Sequence, residues 1–323
     1  MSIQVRPAAR KSAKPLVGLY ALSGAGKTYT ALLLARGYVG AQGRIIMIET
    51  ESGRGESYAD PREYPEFAGQ DKEANYQVIS LHDDFSPKAY GEAIAAAEKA
   101  GCDALIIDSA SHEWEGVGGV LDMADKNDKA GKKGPLVWQQ PKIDHKKYFM
   151  LKFMQTPIPL VIVCMRGKYP MVQRQKTGGA QEWARSEVLE PIQADDILFE
   201  MFLHGYLDAG HKFHLTKNTS RALASVFADG QAITAETGRK FAAWARGDTI
   251  QEGAQSGAPA PTREAAVEQA KAALRDAASQ GMGMLTVKWE GMTTQQRKFL
   301  QPFYDAELFP AAQQADTGRQ ADF

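Results

Sequence analysis

Residues 21–28, ALSGAGKT, have the types and spacing to bind the phosphates of a nucleoside triphosphate. Small side chains in this segment would let successive backbone N–H groups wrap a β-phosphate at the start of a helix. The Lys27 ammonium would reach the β- and γ-phosphates, and the Thr28 hydroxyl would hold Mg²⁺. Ala21 stands where this pattern usually has glycine, but it is small enough for the turn. The residues predicted to bind ATP are Ser23, Gly24, Ala25, Gly26, Lys27, Thr28 and Tyr29.

Asp108 ends the apolar segment CDALIIDS and is the predicted second residue of a Mg²⁺ site with Thr28. In phosphate-loop ATPases, a strand of this kind carries a carboxylate that orients Mg²⁺, usually through water. We expect this strand to lie beside the strand that leads into the phosphate loop. The alternative is that Asp108 only caps the following helix. The phosphate-loop motif upstream favours the metal site.

Two glutamates follow the next apolar segment, in the sequence IIMIETES. They would lie at the carboxyl edge of the sheet, where ligands of open α/β folds bind. A carboxylate there can orient and polarise an attacking water. We predict Glu51 as the catalytic base, with Glu49 as its main competitor, since Glu49 could be a helper or a cap. His112, Glu113 and Glu115 are further acid–base candidates, although a solvated helix start explains them equally well.

Apolar, strand-like segments alternate with helix-like segments along most of the chain. The strand-like segments are residues 16–20, 44–48, 76–81, 104–107 and 160–164. Such alternation predicts a mostly parallel sheet covered by helices, and LIIDS and LVIVC are apolar on both faces, as central strands are. After Asp195, two β-like segments predict an antiparallel hairpin that turns at residues 208–210. The predicted fold is therefore α/β, with a phosphate-loop nucleotide site.

Composition divides the chain into regions of different character. The segment DTIQEGAQSGAPAPT contains too little apolar surface to fold alone, and helical patterns follow it. The predicted regions are a basic N-terminal leader at 1–14, an ATPase domain at 15–247, a flexible linker at 248–262, a helical C-terminal module at 263–310 and a disordered tail at 311–323.

Overall composition excludes several other classes of protein. The 323 residues carry a net charge of -1, so an acidic partner would need local basic patches. Cys102 and Cys164 have neither metal-ligand nor disulfide spacing and are typical of buried thiols in a reducing cytosol. The longest apolar run, residues 157–165, is too short to cross a bilayer, and the N-terminus lacks a signal-peptide core. We expect a cytoplasmic protein with no membrane partner.

Two segments carry local positive charge. Residues 126–147 contain seven lysines and two aspartates, and residues 166–176 contain two lysines and two arginines without an acid. Aromatic residues are interleaved with these cations, a combination that suits loops binding single-stranded nucleic acid. The alternative is that the rings anchor the core and the lysines form a solvated face. The predicted nucleic-acid contacts are Lys126, Lys129, Lys132, Lys133, Lys168, Arg174 and Lys176.

The order of these parts resembles the RecA-like recombinase core. ALSGAGKT resembles its phosphate loop, IETES the strand ending in the catalytic glutamate, LIIDS the Mg²⁺ strand, and HLTKN a strand whose lysine senses nucleotide across a subunit interface. More narrowly, residues 15–222 are similar to phage-encoded, AAA-type, RecA-like ATPases implicated in single-strand annealing and recombination. The resemblance implies Glu51 as the water-activating base, and Lys217, joined by Arg221, as the cation acting in trans. Arg166 replaces the polar amide sensor usual in recombinases, and we expect it to couple the γ-phosphate to DNA.

These observations predict a Mg²⁺-dependent, DNA-stimulated ATPase that binds single-stranded DNA in phage-type recombination or annealing. The resemblance implies a homo-oligomer, either a ring or a filament. The C-terminal sequence ADF resembles the tips by which single-strand-binding proteins recruit partners, which adds such a protein as a candidate partner. Two alternatives stay open. A nucleotide-dependent switch bound to a protein would ignore DNA, and a helicase or packaging motor would translocate along it.

Overall fold

The computed structural model describes residues 13–69, 74–175, 181–248, 271–272, 274–279, 281–290 and 294–320. The chain divides into two compact units, Met1–Gln251 and Glu252–Phe323. Residues 1–12 of the predicted leader and 249–262 of the predicted linker lie outside the described residues, as do Lys176 and the side chain of Arg174.

Ten strands are described in the first unit. They are β1 Leu16–Ala21, β2 Ile45–Glu49, β3 Gln77–Ser80, β4 Ala104–Asp108, β5 Leu160–Lys168, β6 Met171–Gln175, β7 Gln181–Arg185, β8 Glu190–Pro191, β9 Leu203–Leu207 and β10 Phe213–Asn218. The main sheet has the order β10-β9-β1-β5-β4-β2-β3, with β8 paired to the far end of β5. Along this order, each strand from β9 to β3 is parallel to the next. Of the described strands in the main sheet, β10 and β8 are the two that pair antiparallel. The predicted mostly parallel α/β sheet and the antiparallel hairpin around residues 208–210 are confirmed.

Helices cover both faces of this sheet. Those of the first unit are α1 Lys27–Val39, α2 Pro87–Lys99, α3 Ser111–Glu115, α4 Val120–Lys129, α5 Leu136–Asp144, α6 Leu151–Gln155, α7 Ile197–Glu200 and α8 Ala235–Arg246. Strands β2 and β4 are buried throughout, which matches their unbroken apolar sequences. One apolar core cluster lies on the side of α1 and α8, and a second lies on the side of α2 and α6.

The order of the central strands differs from the sequence prediction at one point. We expected the strand of Asp108 to lie beside the phosphate-loop strand, but β5 lies between β1 and β4. The first six residues of strand β5 are buried, and it pairs with both neighbours over this part. The expectation of direct adjacency was therefore wrong, because the strand best suited to the centre of the sheet comes later in the chain.

The two basic segments are not open loops in the described residues. The first comprises the end of α4, a turn at residues 130–135, α5 and a π-helical turn, His145–Met150, that leads into α6. The second continues β5 as far as Lys168 and then forms the antiparallel hairpin of β6 and β7. Most of the described basic residues of both segments therefore lie on helices or strands, while Lys132 and Lys133 lie in the turn.

The second unit is helical. Its named helices are α9 Met282–Glu290, α10 Thr294–Phe303 and α11 Phe309–Gln320, and residues 271–272 and 274–279 are also helical. Its core consists of Leu274, Ala278, Leu285, Leu300, Leu308 and Ala312. The prediction of a disordered tail was wrong for residues 311–320, which belong to helix α11. The sequence there is rich in alanine and glutamine, which favour helix, and Ala312 is buried in the core.

Candidate functional site

The phosphate loop joins β1 to α1 at the carboxyl edge of the sheet. Gly24 and Gly26 both have a φ of 82°, a left-handed conformation that glycine adopts without a steric penalty. Lys27 is buried, and its Nζ donates long hydrogen bonds to the carbonyl oxygens of Ala21 at 3.3 Å and Leu22 at 3.4 Å. Two neutral acceptors compensate only part of an ammonium charge, so Lys27 is suited to bind a phosphate beside the loop.

Thr28 and Asp108 meet directly across the sheet edge. The Thr28 hydroxyl donates a 2.5 Å hydrogen bond to Asp108 Oδ2. The strands that lead to these two residues, β1 and β4, are separated in the sheet by β5. Burial raises the pKa of Asp108, and the bond from Thr28 partly opposes this shift. A hydroxyl beside a carboxyl group is an all-oxygen donor set of the kind that Mg²⁺ prefers when phosphates supply further ligands. These two residues therefore fit the predicted metal site.

Glu49 and Glu51 occupy different surroundings although only Thr50 separates them. Glu49 is buried, and its two oxygens accept from the backbone N–H groups of Glu51 at 2.6 Å and Gly53 at 3.2 Å. Glu51 instead directs its side chain into the cavity beside the phosphate loop. Glu49 thus holds the turn after β2, and Glu51 is the carboxylate that faces the cavity.

Arg166 lies at the point where β5 leaves the centre of the sheet, opposite Glu51. Its Nε and Nη2 atoms both lie 3.1 Å from Glu51 Oε1, and its Nη1 lies 3.9 Å from Glu115 Oε1. The backbone N–H of Arg166 donates to Ser111 Oγ at 2.8 Å, which fixes the strand end against α3. The structure therefore brings together Glu51 and Arg166, which lie far apart in the sequence.

These groups share one cavity of about 980 Å³. Its lining includes the predicted residues Ser23, Gly24, Gly26, Lys27, Thr28, Tyr29, Glu51, Asp108 and Arg166. Ala25 is buried beneath the loop. Tyr29 donates its hydroxyl to Glu66 Oε1 at 2.8 Å, and this bond, followed by burial, raises the pKa of Tyr29 to about 12.

The cavity also contains residues that the sequence did not single out. His211, directly after the predicted hairpin turn, approaches the phosphate loop so closely that a Cβ on Gly26 would lie 2.9 Å from its Nδ1. The hairpin pairs with β1 through β9, and this pairing places the turn over the loop. Tyr58 contacts the ring of Tyr29 edge-on, at 5.8 Å between centroids. The predicted hairpin turn at residues 208–210 was a sequence signal for His211, whereas no sequence signal indicated Tyr58.

Lys217 is not among the residues that line this cavity. It lies on β10, and its Nζ donates to the carbonyl oxygens of Phe199 at 2.7 Å and Leu198 at 3.3 Å. Its predicted role in trans stays a prediction, because only one chain is present.

The lysines predicted to contact nucleic acid on α4 and in the turn after it have acidic or polar neighbours. Lys126 pairs with Asp122 at 2.7 Å, Lys129 with Asp125, and Lys133 with Asp128 at 2.9 Å, while Lys132 donates to Asn127 at 2.8 Å. Asp122 and Asp125 precede the segment whose charge the sequence analysis counted. All of these lysines are exposed, and exposed pairs are weak enough for a phosphate to replace the carboxylate. Lys168 is exposed at the end of β5 and makes no ion pair among the described residues.

A comparison with protein families bears on this geometry. Residues 13–151 match the family model of an AAA domain. The matched segment contains the phosphate loop, Glu51 and Asp108, and it ends before Arg166. Together with the sheet topology, it supports an AAA-type, P-loop ATPase with the α/β fold of P-loop NTPases. No curated protein matches the chain. No helix in the described part of the chain is long and apolar enough to span a membrane.

Proposed function

We propose that this protein is a Mg²⁺-dependent ATPase that binds single-stranded DNA and couples ATP hydrolysis to that binding. The observation that carries the proposal is the arrangement of one cavity, in which the Thr28–Asp108 hydrogen bond faces the Glu51–Arg166 ion pair. A metal-binding pair and a carboxylate–guanidinium pair around a phosphate loop are the parts that ATP hydrolysis requires.

In the proposed reaction, each residue has one task. Backbone N–H groups of the loop and the Lys27 ammonium bind the phosphates, while Thr28 and Asp108 hold Mg²⁺. When bound, Mg²⁺ neutralises charge on the β- and γ-phosphates. Glu51 accepts a proton from the attacking water, or orients it, and Arg166 supplies positive charge near the transferred phosphoryl group.

The Glu51–Arg166 pair also supplies a route between ATP and DNA. Arg166 holds one oxygen of Glu51 with two N–H groups, so Glu51 cannot orient a water with that oxygen at the same time. The chain runs from Arg166 through Lys168 into the β6–β7 hairpin, which belongs to the second basic segment. DNA bound to this hairpin would move Arg166 and release Glu51 for catalysis, which couples the two ligands.

The proposed biological role is recombination or single-strand annealing of the phage type, by a homo-oligomeric ring or filament. The resemblance of the phosphate loop and the strand ends to RecA-like proteins supports this role. In such an assembly, Lys217 and Arg221 of one subunit would face the phosphates bound to its neighbour. A single-strand-binding protein is the candidate partner for the C-terminal sequence.

DNA binding is tested by fluorescence anisotropy with a labelled oligothymidylate over a series of salt concentrations. We expect the logarithm of the binding constant to fall with the logarithm of salt concentration, because lysines displace counterions from phosphates. Replacing Lys129, Lys132 and Lys133 by alanine should reduce the slope by about 2, since each phosphate contact contributes about 0.7 for single strands. The control replaces three other exposed lysines, Lys88, Lys99 and Lys240. Binding that does not respond to salt would contradict the proposal.

One observation favours a second candidate, a nucleotide-dependent switch that binds a protein. Two lysines of α4, and Lys133 in the turn after it, already have aspartate partners in the chain, which lowers the net positive charge that this segment offers to DNA. Such a switch would hydrolyse ATP at the same rate with and without DNA.

A further inference from the structure

A second cavity, of about 470 Å³, lies between α3, α5 and the connection from β8 to α7. Its walls are aromatic and are formed by Trp114, Trp138 and Phe199. The Phe199 side chain is conspicuous because Phe199 is 76% exposed, although apolar rings are usually buried. None of these three residues lines the nucleotide cavity. The aromatic pocket is thus a separate site with flat, apolar walls.

The floor of the aromatic pocket is a buried histidine with one free ring nitrogen. His145 is 2% exposed, and its Nδ1 lies 2.9 Å from Glu113 Oε1. Its Nε2 has no hydrogen-bond partner among the described residues, and the nearest carboxylate oxygen, Asp196 Oδ1, is 3.9 Å away. Buried polar atoms nearly always have partners, so this nitrogen indicates a ligand atom that completes the site.

The neighbours of His145 determine which kind of atom its Nε2 would meet. Gln193 Nε2 donates to Glu113 Oε2 at 3.1 Å, so the carboxyl group of Glu113 accepts hydrogen bonds. With Nδ1–H donating to Glu113, the Nε2 atom of the neutral tautomer is an acceptor. The pocket is therefore suited to bind a flat ring that carries an N–H group on its edge.

The charges at the rim indicate what such a ring is attached to. Lys142 lines the pocket and makes no ion pair with any described residue. Lys146 is 3.3 Å from Asp196, so it is already partly neutralised. One free ammonium group beside aromatic walls suits a ring that is linked to a single phosphate. The carboxylates of Asp195 and Asp196 disfavour a free, multiply charged anion in the same space.

We propose that the aromatic pocket binds one unstacked base of a single-stranded nucleic acid. The base stacks on Trp138 and Phe199, an N–H group of the base donates to His145 Nε2, and the adjoining phosphate contacts Lys142. This inference rests on the proposed binding of single-stranded DNA and adds a specific base site to it. A side chain from a second copy of the chain is the competing occupant.

The floor of the pocket is connected to the nucleotide cavity. Gln193 also donates to the carbonyl oxygen of Ala110 at 2.8 Å, two residues after Asp108. Its neighbour Ile192 lines the nucleotide cavity and donates its backbone N–H to the Arg166 carbonyl oxygen at 2.7 Å. Gln193 and Ile192 therefore connect the floor of the aromatic pocket to residues on both sides of the nucleotide cavity.

The test compares two probes of equal length, an oligothymidylate and an oligonucleotide made only of abasic sites. For Phe199→Ala and Trp138→Ala, we expect affinity for oligothymidylate to fall about 5- to 150-fold, the range for loss of one stacked base. Affinity for the abasic probe and the salt slope should stay unchanged, because the phosphate contacts remain. Phe309→Ala, an exposed phenylalanine in the second unit, is the matched control and should match the unaltered protein with both probes.

A change in the ligand tests the role of His145 without altering the protein. Methylation of thymine at N3 removes the ring N–H, so an oligonucleotide of N3-methylthymidine should bind to the unaltered protein more weakly than oligothymidylate does. The Phe199→Ala variant should bind the two oligonucleotides with equal affinity. If the unaltered protein does not distinguish the three probes, the base pocket is wrong while DNA binding stands. Failure to bind any probe overturns both proposals. If both aromatic variants instead lower the molar mass by light scattering and leave probe binding unchanged, the pocket holds a neighbouring subunit.

Discussion

At the residue scale, the site depends on which of two neighbouring glutamates faces the cavity. The spacing Glu49-Thr50-Glu51 places both at a strand end, and the sequence could not separate their roles. The structure separates them because the chain turns back after β2 and brings the N–H groups of Glu51 and Gly53 to Glu49. That turn depends on a left-handed conformation at Gly53, with a φ of 86°, which residue types alone do not specify.

The two glutamates should therefore respond differently to the same substitution. Glu51→Gln should lower the rate of ATP hydrolysis by about 10²- to 10⁴-fold, as for loss of a general base, and leave nucleotide affinity and thermal stability unchanged. Glu49→Gln should lower the free energy of unfolding by about 1.5–3 kcal/mol, because a buried charged acceptor loses its charge. Steady-state hydrolysis and denaturant unfolding measure the two effects. A full hydrolysis rate in Glu51→Gln would remove Glu51 from the mechanism.

Arg166 is the residue that should couple ATP to DNA. In Arg166→Ala, the hydrolysis rates with and without single-stranded DNA should become equal, since the side chain that joins the end of β5 to Glu51 is then lost. Lys88→Ala serves as the control, because it removes an exposed positive charge that lies outside both basic segments and does not contact Glu51. Stimulation by DNA that survives Arg166→Ala at its original level would show that coupling takes another route.

At the element scale, close packing of α1 against α8 holds the helix that begins at the phosphate loop. A Cβ on Gly37 would lie 2.0 Å from the carbonyl oxygen of Ala235, so only glycine permits this approach. Gly37→Ala should lower the free energy of unfolding by about 1–3 kcal/mol, as overpacking does. Gly283→Ala is the control, since Gly283 lies in a helix with open space around it, and it should change stability by no more than about 1 kcal/mol. Equal stability of the two variants in denaturant titration would contradict this packing.

His204, on β9, should make stability depend on pH. Burial, assisted by Lys217, lowers its pKa from 6.5 to about 4 in the folded chain. Between these values the unfolded chain binds a proton that the folded chain does not, so the free energy of unfolding should fall as pH falls from 6.5 to 4. His204→Gln should show a shallower fall in that window, measured by urea titration at several pH values. An unchanged slope would show that His204 is not responsible.

Some elements were predictable from the sequence, and others depended on tertiary contacts. Strands β1, β2, β4 and β5 have continuous apolar sequences, and the phosphate loop has its glycines, so local pattern was sufficient. The position of β5 between β1 and β4 was not predictable, because pairing order is set by packing across the whole sheet. His211 reaches the phosphate loop only because β9 pairs with β1. The helices of the first basic segment were missed because its lysines and glycines dominated the pattern.

At the scale of the whole molecule, the small net charge hides a separation of charge. The two basic segments sum to +9 in a chain of -1, yet aspartates accompany several of these lysines on α4 and in the turn after it. The net charge was counted only over residues 126–147 and 166–176, so the count omitted Asp122 and Asp125. We therefore expect Lys142 and Lys168, which make no ion pair with any described residue, to contribute more to the proposed DNA binding than the lysines of α4 do.

The most direct test is the rate of ATP hydrolysis with and without single-stranded DNA, measured for the unaltered chain and for Lys27→Ala. We predict that DNA raises the rate of the unaltered chain and that Lys27→Ala hydrolyses no ATP in either condition, because its phosphate-binding ammonium is lost. A rate that is the same with and without DNA would contradict the coupling that this account places at Glu51 and Arg166.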